Sequence, residues 1–415
     1  MMNAFTILFV LVLSVSFGIE WWLMRRQIAH VRSHRDSVPE AFQASISAEA
    51  HQKAADYTVD KAHVAEVERL IALALLLLLT LGGGIEFIRS VWADVGLDAG
   101  ITGVGIILST MLLMQIVEIP VSYYQTFIVE QRYGFNRSTQ RQFLIDLGLQ
   151  TALSLAIGIP VLALILMIMN SVEHWWFWAW LVIMGFTILM SWAYPTFIAP
   201  LFNRFTPLAD DQLRTRIESL MQRCGFHSQG IFVMDGSKRS SHGNAYFTGV
   251  GESKRIVFFD TLIETLEPDE IEAVLAHELG HFKCHHVIKM LVVSGGITLV
   301  GFALLGWLSG QDWFYTGLGV SESSHALALL LFMLTAPVFS AFLQPAMAWF
   351  QRRHEFEADH FASTHARPER LISALVKLYR DNASTLTPDP LYSAFHYSHP
   401  PAAIRIAHLD ASKTS

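Results

Sequence analysis

The residues with the clearest claim to chemistry in this chain are His277-Glu278-Leu279-Gly280-His281. Two histidines four apart on a helix project from one face, about one turn apart, so both imidazoles can reach one tetrahedral ion. Glu278 lies about 100° around the helix, near such an ion without being forced to bind it. There it can take a proton from an attacking water, so the spacing implies metal-assisted hydrolysis. The bland alternative is a chance His-x-x-x-His on an ordinary amphipathic helix. Against it, Pro268, Asp269 and Glu270 suit the first turn of a helix that runs through Ala276 toward His286.

A catalytic zinc takes three protein ligands and keeps a fourth position open. The two cysteines, Cys224 and Cys284, are too few for a Cys-built site, so the remaining ligand must be a histidine or a carboxylate. A metzincin would continue with Gly and His at fixed offsets, a pattern that Cys284 and His286 break. The segment 352–362 supplies carboxylates instead, with Glu355 and Asp359 again four apart. One can bind the metal while the other accepts the free N–H of a metal-bound imidazole. Spacing alone leaves the choice among Glu355, Glu357 and Asp359 open. The nearby histidines 285, 286, 354 and 360 read as helix-face residues or as supports of the ligands.

What positions these residues is a membrane. Of 415 residues, 52% are hydrophobic and only 16% charged, against about 25% charged in an average soluble domain. Seven stretches can cross a bilayer, at about 20 residues per helix: 5–24, 70–92, 101–121, 147–169, 175–198, 287–308 and 326–350. Almost all Lys and Arg fall on one side of this layout, including Arg25, Arg132, Arg239 and Arg352; the opposite loops near Val95, Val172 and Gly317 contain none. The positive-inside rule then places the N-terminus outside and the large polar segments in the cytoplasm. Net charge of −7 argues against a nucleic-acid partner.

The expected organisation is a membrane region over 1–198 with five spans, a first catalytic part over 199–286, two spans over 287–350 and a second catalytic part over 351–415. The first catalytic part opens with helical periodicity over 212–224. Strands follow at 230–234, 244–248 and 255–260, the last two joined by a turn at Gly249–Ser253. The strand at 244–248 could receive an extended peptide at its edge. Residues 37–60 read only as a polar, Ala-rich helix. Glu20, Glu86, Arg89 and Glu118, in or beside spans, suit either a hydrated interior or helix pairing.

With these motifs in hand, the chain resembles the type I CAAX prenyl proteases over nearly its whole length. The resemblance rests on the seven-span layout, Tyr124-Gln125-Thr126-Phe127 with Gly134-Phe135-Asn136, Ser237–His242, Asn244-Ala245-Tyr246-Phe247, the zinc motif, the 352–362 segment, and His396–Pro401 with Arg405. Gly243 stands where many relatives carry Ser. The resemblance implies an all-α membrane protein with about seven transmembrane helices, plus a split α+β, gluzincin-like cytoplasmic zinc peptidase domain. It implies that Glu355 completes the zinc site with His277 and His281, with Asp359 supporting a ligand histidine. It also gives His399 the role of donor to the scissile carbonyl oxygen, and Asn244, Ala245 and Tyr246 the substrate backbone. Arg405 is expected to pair with Glu355 or Asp359.

The function so implied is a membrane-embedded zinc metalloendopeptidase cutting near the C-terminus of prenylated CAAX-type or other membrane-associated proteins. One Zn2+ per chain, a monomer, and a bacterial inner membrane (the ER membrane in a eukaryote) complete the expectation. A heat-shock-type quality-control protease shares the zinc motifs, but such chains are shorter with fewer spans. A transporter would concentrate its ionisable residues at mid-membrane, and these clusters lie on polar segments instead.

Overall fold

The computed structural model describes residues 3–226, 230–248 and 255–412. Among them, six helices are long and apolar enough to span a bilayer: Ala4–Ser33, Ala99–Glu130, Gln140–Ser171, Trp175–Phe202, His286–Leu308 and His325–His365. The pair Ala48–Leu79 and Gly84–Val95 makes a seventh, bent by 53°. The stretch expected to span over 70–92 is thus two helices meeting at a bend. Gly83 takes a left-handed φ of 77°, which a side chain would strain, and a Cβ on Gly82 would meet the Leu78 carbonyl oxygen at 2.7 Å. The polar residues before this span extend it: after a short 3₁₀ turn at Glu40–Phe42, helix begins at Ala48.

The spans pack around Phe9, Leu79, Ile106, Leu166, Leu305 and Leu330. Large apolar side chains such as Leu11, Phe87, Trp178, Val292 and Trp307 point outward and exposed, as a lipid-facing surface requires. Three of the ionisable residues noted in or beside the spans are paired, Glu20 with Arg69 and Glu86 with Arg89 at 2.7 Å, while Glu118 is exposed.

Four strands form the sheet: β1 (Phe205–Pro207), β2 (Gly230–Met234), β3 (Ala245–Thr248) and β4 (Arg255–Phe259). Their order is β1-β2-β4-β3, with β2 and β4 parallel and the outer pairs antiparallel. The turn expected at Gly249–Ser253 lies outside the described residues. β3 is therefore an edge strand. The sheet, the helix Asp211–Arg223 and the helix Pro368–Asp381 enclose one apolar core containing Ile217, Leu220, Ile256, Phe258, Leu275, Leu279 and Leu371.

The HExxH helix, Pro268–Lys283, runs through that core. Pro268 sits at its first turn, and Glu270 Oε2 accepts the Glu267 N–H at 2.8 Å, capping the start. Glu270 also takes Ser373 Oγ at 2.6 Å and Lys377 Nζ at 2.8 Å, fixing the helix to Pro368–Asp381. On its other side, Gly280 lies so close to the last helix that a Cβ there would meet Ala358 Cα at 2.9 Å. This last helix of the membrane spans, which the shorter helices Pro368–Asp381, Pro390–His396 and Ala402–Ser412 follow, is one rod. It descends as His325–Ser340, tightens at Ala341–Leu343, and continues as Gln344–His365.

Candidate metal centre and active site

His277 and His281 stand one turn apart on the HExxH helix, with their Nε2 atoms 3.2 Å from each other. Glu355, on the last helix, meets both: Oε2 is 3.5 Å from His277 Nε2 and Oε1 is 3.3 Å from His281 Nε2. One donor atom from each of the three lies within 4.8 Å of the other two. Two observations fit a cation here. Glu355 Oε2 is buried with no hydrogen-bond partner among the described residues, Arg405 Nη1 standing off at 3.6 Å, and a directly bound cation would satisfy it. Burial disfavours a charged His277, yet Asp359 and Glu355 outweigh it and push its pKa up to about 9. The same negative field favours a dication.

Each imidazole is held from behind. His277 Nδ1 is 2.9 Å from Asp359 Oδ1, and Arg405 grips that carboxylate at 2.9 and 2.5 Å. Arg405 also approaches Glu355, at 3.6 Å. His281 Nδ1 lies 2.9 Å from His286 Nδ1, and His286 Nε2 lies 3.0 Å from Glu357 Oε2. The three acidic residues of the last helix thus divide: Glu355 faces the two Nε2 atoms, Asp359 backs His277, and Glu357 points away toward His286. Sequence reasoning left His286 as either a helix-face residue or a support of a ligand, and the structure sets it against His281. His286 follows His281 by five residues, which on a continuous helix faces elsewhere. The left-handed His285, with φ 57°, turns it back, and no local sequence pattern announces a left-handed histidine.

Glu278 borders a small pocket shared with Ala245, Tyr246 and Phe247 of β3. Asn244, just before β3, lines a neighbouring cavity of about 780 Å³ with Tyr57, Lys61, His242 and Asn382. His399 Nε2 is 3.3 Å from Glu355 Oε1, with its side chain 63% exposed at the rim of the site. His396, its compositional equal, instead faces Glu20 of the first span at 3.3 Å. The structure therefore gathers His277, His281, Glu355, Asp359, His399 and Arg405 around one point, while Glu278, next to His277 in sequence, borders the pocket it shares with Ala245 and Tyr246 of β3, with Asn244 just before that strand.

A His-His-Glu cluster with a carboxylate beside it, carried by a bundle of apolar spans, defines an integral-membrane metallopeptidase. Residues 27–204 match the family model for the CAAX prenyl protease N-terminal region of five membrane helices, and residues 207–413 match peptidase family M48. The chain belongs to the CAAX prenyl protease 1 family, membrane zinc metalloproteases within M48. It is 39% identical to CAAX prenyl protease 1 of Saccharomyces cerevisiae over 72% of this chain and 70% of that one. With the Arabidopsis thaliana homologue identity is 33%, over 95% of each. The crystal structure of S. mikatae Ste24p superposes with a TM-score of 0.91 at 31% identity, covering 99% of this chain and 100% of that one.

Proposed function

We propose that this enzyme binds one catalytic zinc through His277, His281 and Glu355, and cuts a peptide bond near the C-terminus of prenylated CAAX-type or other membrane-associated proteins. The observation that carries the site reading is the convergence of two histidines from one helix with a carboxylate from the far side of two spans. When bound, zinc acidifies water and polarises the scissile carbonyl. The protein residues do the rest. Asp359, clamped by Arg405, fixes the ring of His277 so that its Nε2 faces inward. Glu278 takes the proton of the attacking water and returns it to the leaving amine. His399 donates to the carbonyl oxygen as negative charge grows there, a contribution of about 3 kcal/mol for one preorganised donor. The free edge of β3 aligns the substrate backbone through main-chain hydrogen bonds, with Asn244 at its start.

The names of the relatives support a prenylated CAAX substrate. The distribution of Lys and Arg supports a catalytic domain on the cytoplasmic face, and a monomer suffices because one chain supplies every group invoked. The test compares a farnesylated CAAX peptide with its unmodified form, with and without a zinc chelator. Faster, chelator-sensitive cleavage of the farnesylated peptide is expected. Equal cleavage of both would reject prenyl specificity and keep the peptidase; cleavage that persists after zinc removal would reject the metal site.

A further inference from the structure

The turn that ends the HExxH helix builds a second donor cluster beside the first. Cys284 closes that helix, His285 reverses the backbone, and His286 opens the next one. The reversal sets Cys284 and His286 opposite Glu357 of the last helix. One donor atom from each of these three lies within 4.8 Å of the others, and His286 Nε2 is 3.0 Å from Glu357 Oε2. A thiolate, an imidazole and a carboxylate together suit zinc. Tetrahedral zinc with ordinary bond lengths holds its ligand atoms about 3.3–3.8 Å apart, so closure by about an ångström suffices.

His286 already has a commitment that such an ion would disturb. Its Nδ1 lies 2.9 Å from Nδ1 of His281, a separation that needs one donor and one acceptor. His281 turns Nε2 toward His277 and Glu355. With Nε2 given to the catalytic zinc, its proton is left on Nδ1, and His286 Nδ1 accepts it. His286 keeps its own proton on Nε2, where Glu357 accepts. A cation on His286 Nε2 displaces that proton. If the ring stays neutral, the proton moves to Nδ1 and two N–H groups face each other. The hydrogen bond that orients His281 is then lost.

We propose that Cys284, His286 and Glu357 form an auxiliary zinc site whose occupation loosens His281 and inhibits the enzyme when zinc is in excess. The inhibitory part rests on His281 being a ligand of the catalytic zinc. The auxiliary site is the weaker of the two. Lys289 Nζ competes for Glu357 at 3.2 Å, and Glu357 and Cys284 are more open to solvent than His277 and Glu355. The antagonism is reciprocal: a filled catalytic site disfavours the auxiliary one by the same factor.

The test uses the full-length enzyme in detergent, loaded with one equivalent of zinc and titrated with more. Bound metal is counted by elemental analysis, peptide hydrolysis is followed in parallel, and a cadmium titration reads the thiolate-to-metal charge-transfer band. The native enzyme should be fully active at one zinc per chain and lose activity as a second binds. C284S should match it at one equivalent but need about tenfold more zinc for the same inhibition. C284S should also lack the cadmium band, whereas C224S, which alters the distant core cysteine, should keep both the band and the inhibition. Inhibition of C284S at the native zinc concentration, or inhibition without a second bound ion, would overturn the proposal. A native enzyme inactive at one zinc per chain would count against the catalytic assignment instead, and the cadmium band would still report on this site.

Discussion

Asp359 touches His277 on one side and Arg405 on the other, and it is completely buried. Its loss would free the ring of His277 and strand a buried guanidinium. D359N should therefore weaken zinc about 10–100-fold, read by competition with a chromogenic chelator. D359A should add a loss of thermal stability, because the buried Arg405 then loses its two shortest hydrogen bonds and keeps only longer approaches to Glu355 and His277. Glu278 differs in kind: it borders the groove beside β3 and lies outside the convergent ligand cluster. E278Q should lower kcat by about 10²–10⁴-fold while zinc content by elemental analysis stays at the native level. Zinc loss in E278Q would show that Glu278 serves as a ligand, and retained turnover would remove it as the base.

The HExxH helix depends on close contacts at both faces. Gly280 is there because Ala358 Cα passes 2.9 Å from where a Cβ would stand. G280A must push the two helices apart, moving His281 away from Glu355. It should cost about 1–3 kcal/mol in thermal unfolding and weaken zinc binding as well. At the start of the helix, burial opposes the charge on Glu270, but Lys377, Ser373 and the Glu267 N–H outweigh it and hold its carboxyl below the usual value. A carboxyl lowered by folding stabilises the native state above its unfolded pKa of about 4.3, and that contribution fades as pH falls through the folded value. E270Q should lower Tm at pH 7, and the gap to the native protein should narrow in acid. The motif on this helix was legible because its spacing is local: histidines four apart share a face in any helix. Spacing alone could not choose Glu355 over its acidic neighbours, a choice that came only with the family resemblance, since the rotation of the last spanning helix is set by packing against Gly280. β1 escaped notice because three residues ending in Pro207 show no alternation to read. The break after Leu79 was visible as Gly82-Gly83-Gly84, but the apolar run continued through it.

The catalytic part is fastened to the membrane part by a few partly buried polar ties. Arg239, in the loop before Asn244, grips Asp146 of the span Gln140–Ser171 with two hydrogen bonds of 2.7 and 2.8 Å. Arg26, at the end of the first span, holds Asp389 at 2.9 Å. R239A should loosen the loop that leads into β3, lowering Tm and raising KM more than it lowers kcat. R239K should rescue it only partly, because an ammonium cannot reproduce the bidentate grip. An unchanged KM in both variants would separate this tie from substrate alignment. The single rod from His325 to His365 has a different consequence, in the order of synthesis. His277 and His281 leave the ribosome well before Glu355, and Glu355 arrives only behind the last two spans. A nascent chain halted before residue 344 holds the HExxH helix without Glu355, the third ligand in the proposed site. On the proposed ligand set, a half-made enzyme therefore has no complete metal site with which to cut its neighbours until the last two spans have been synthesised.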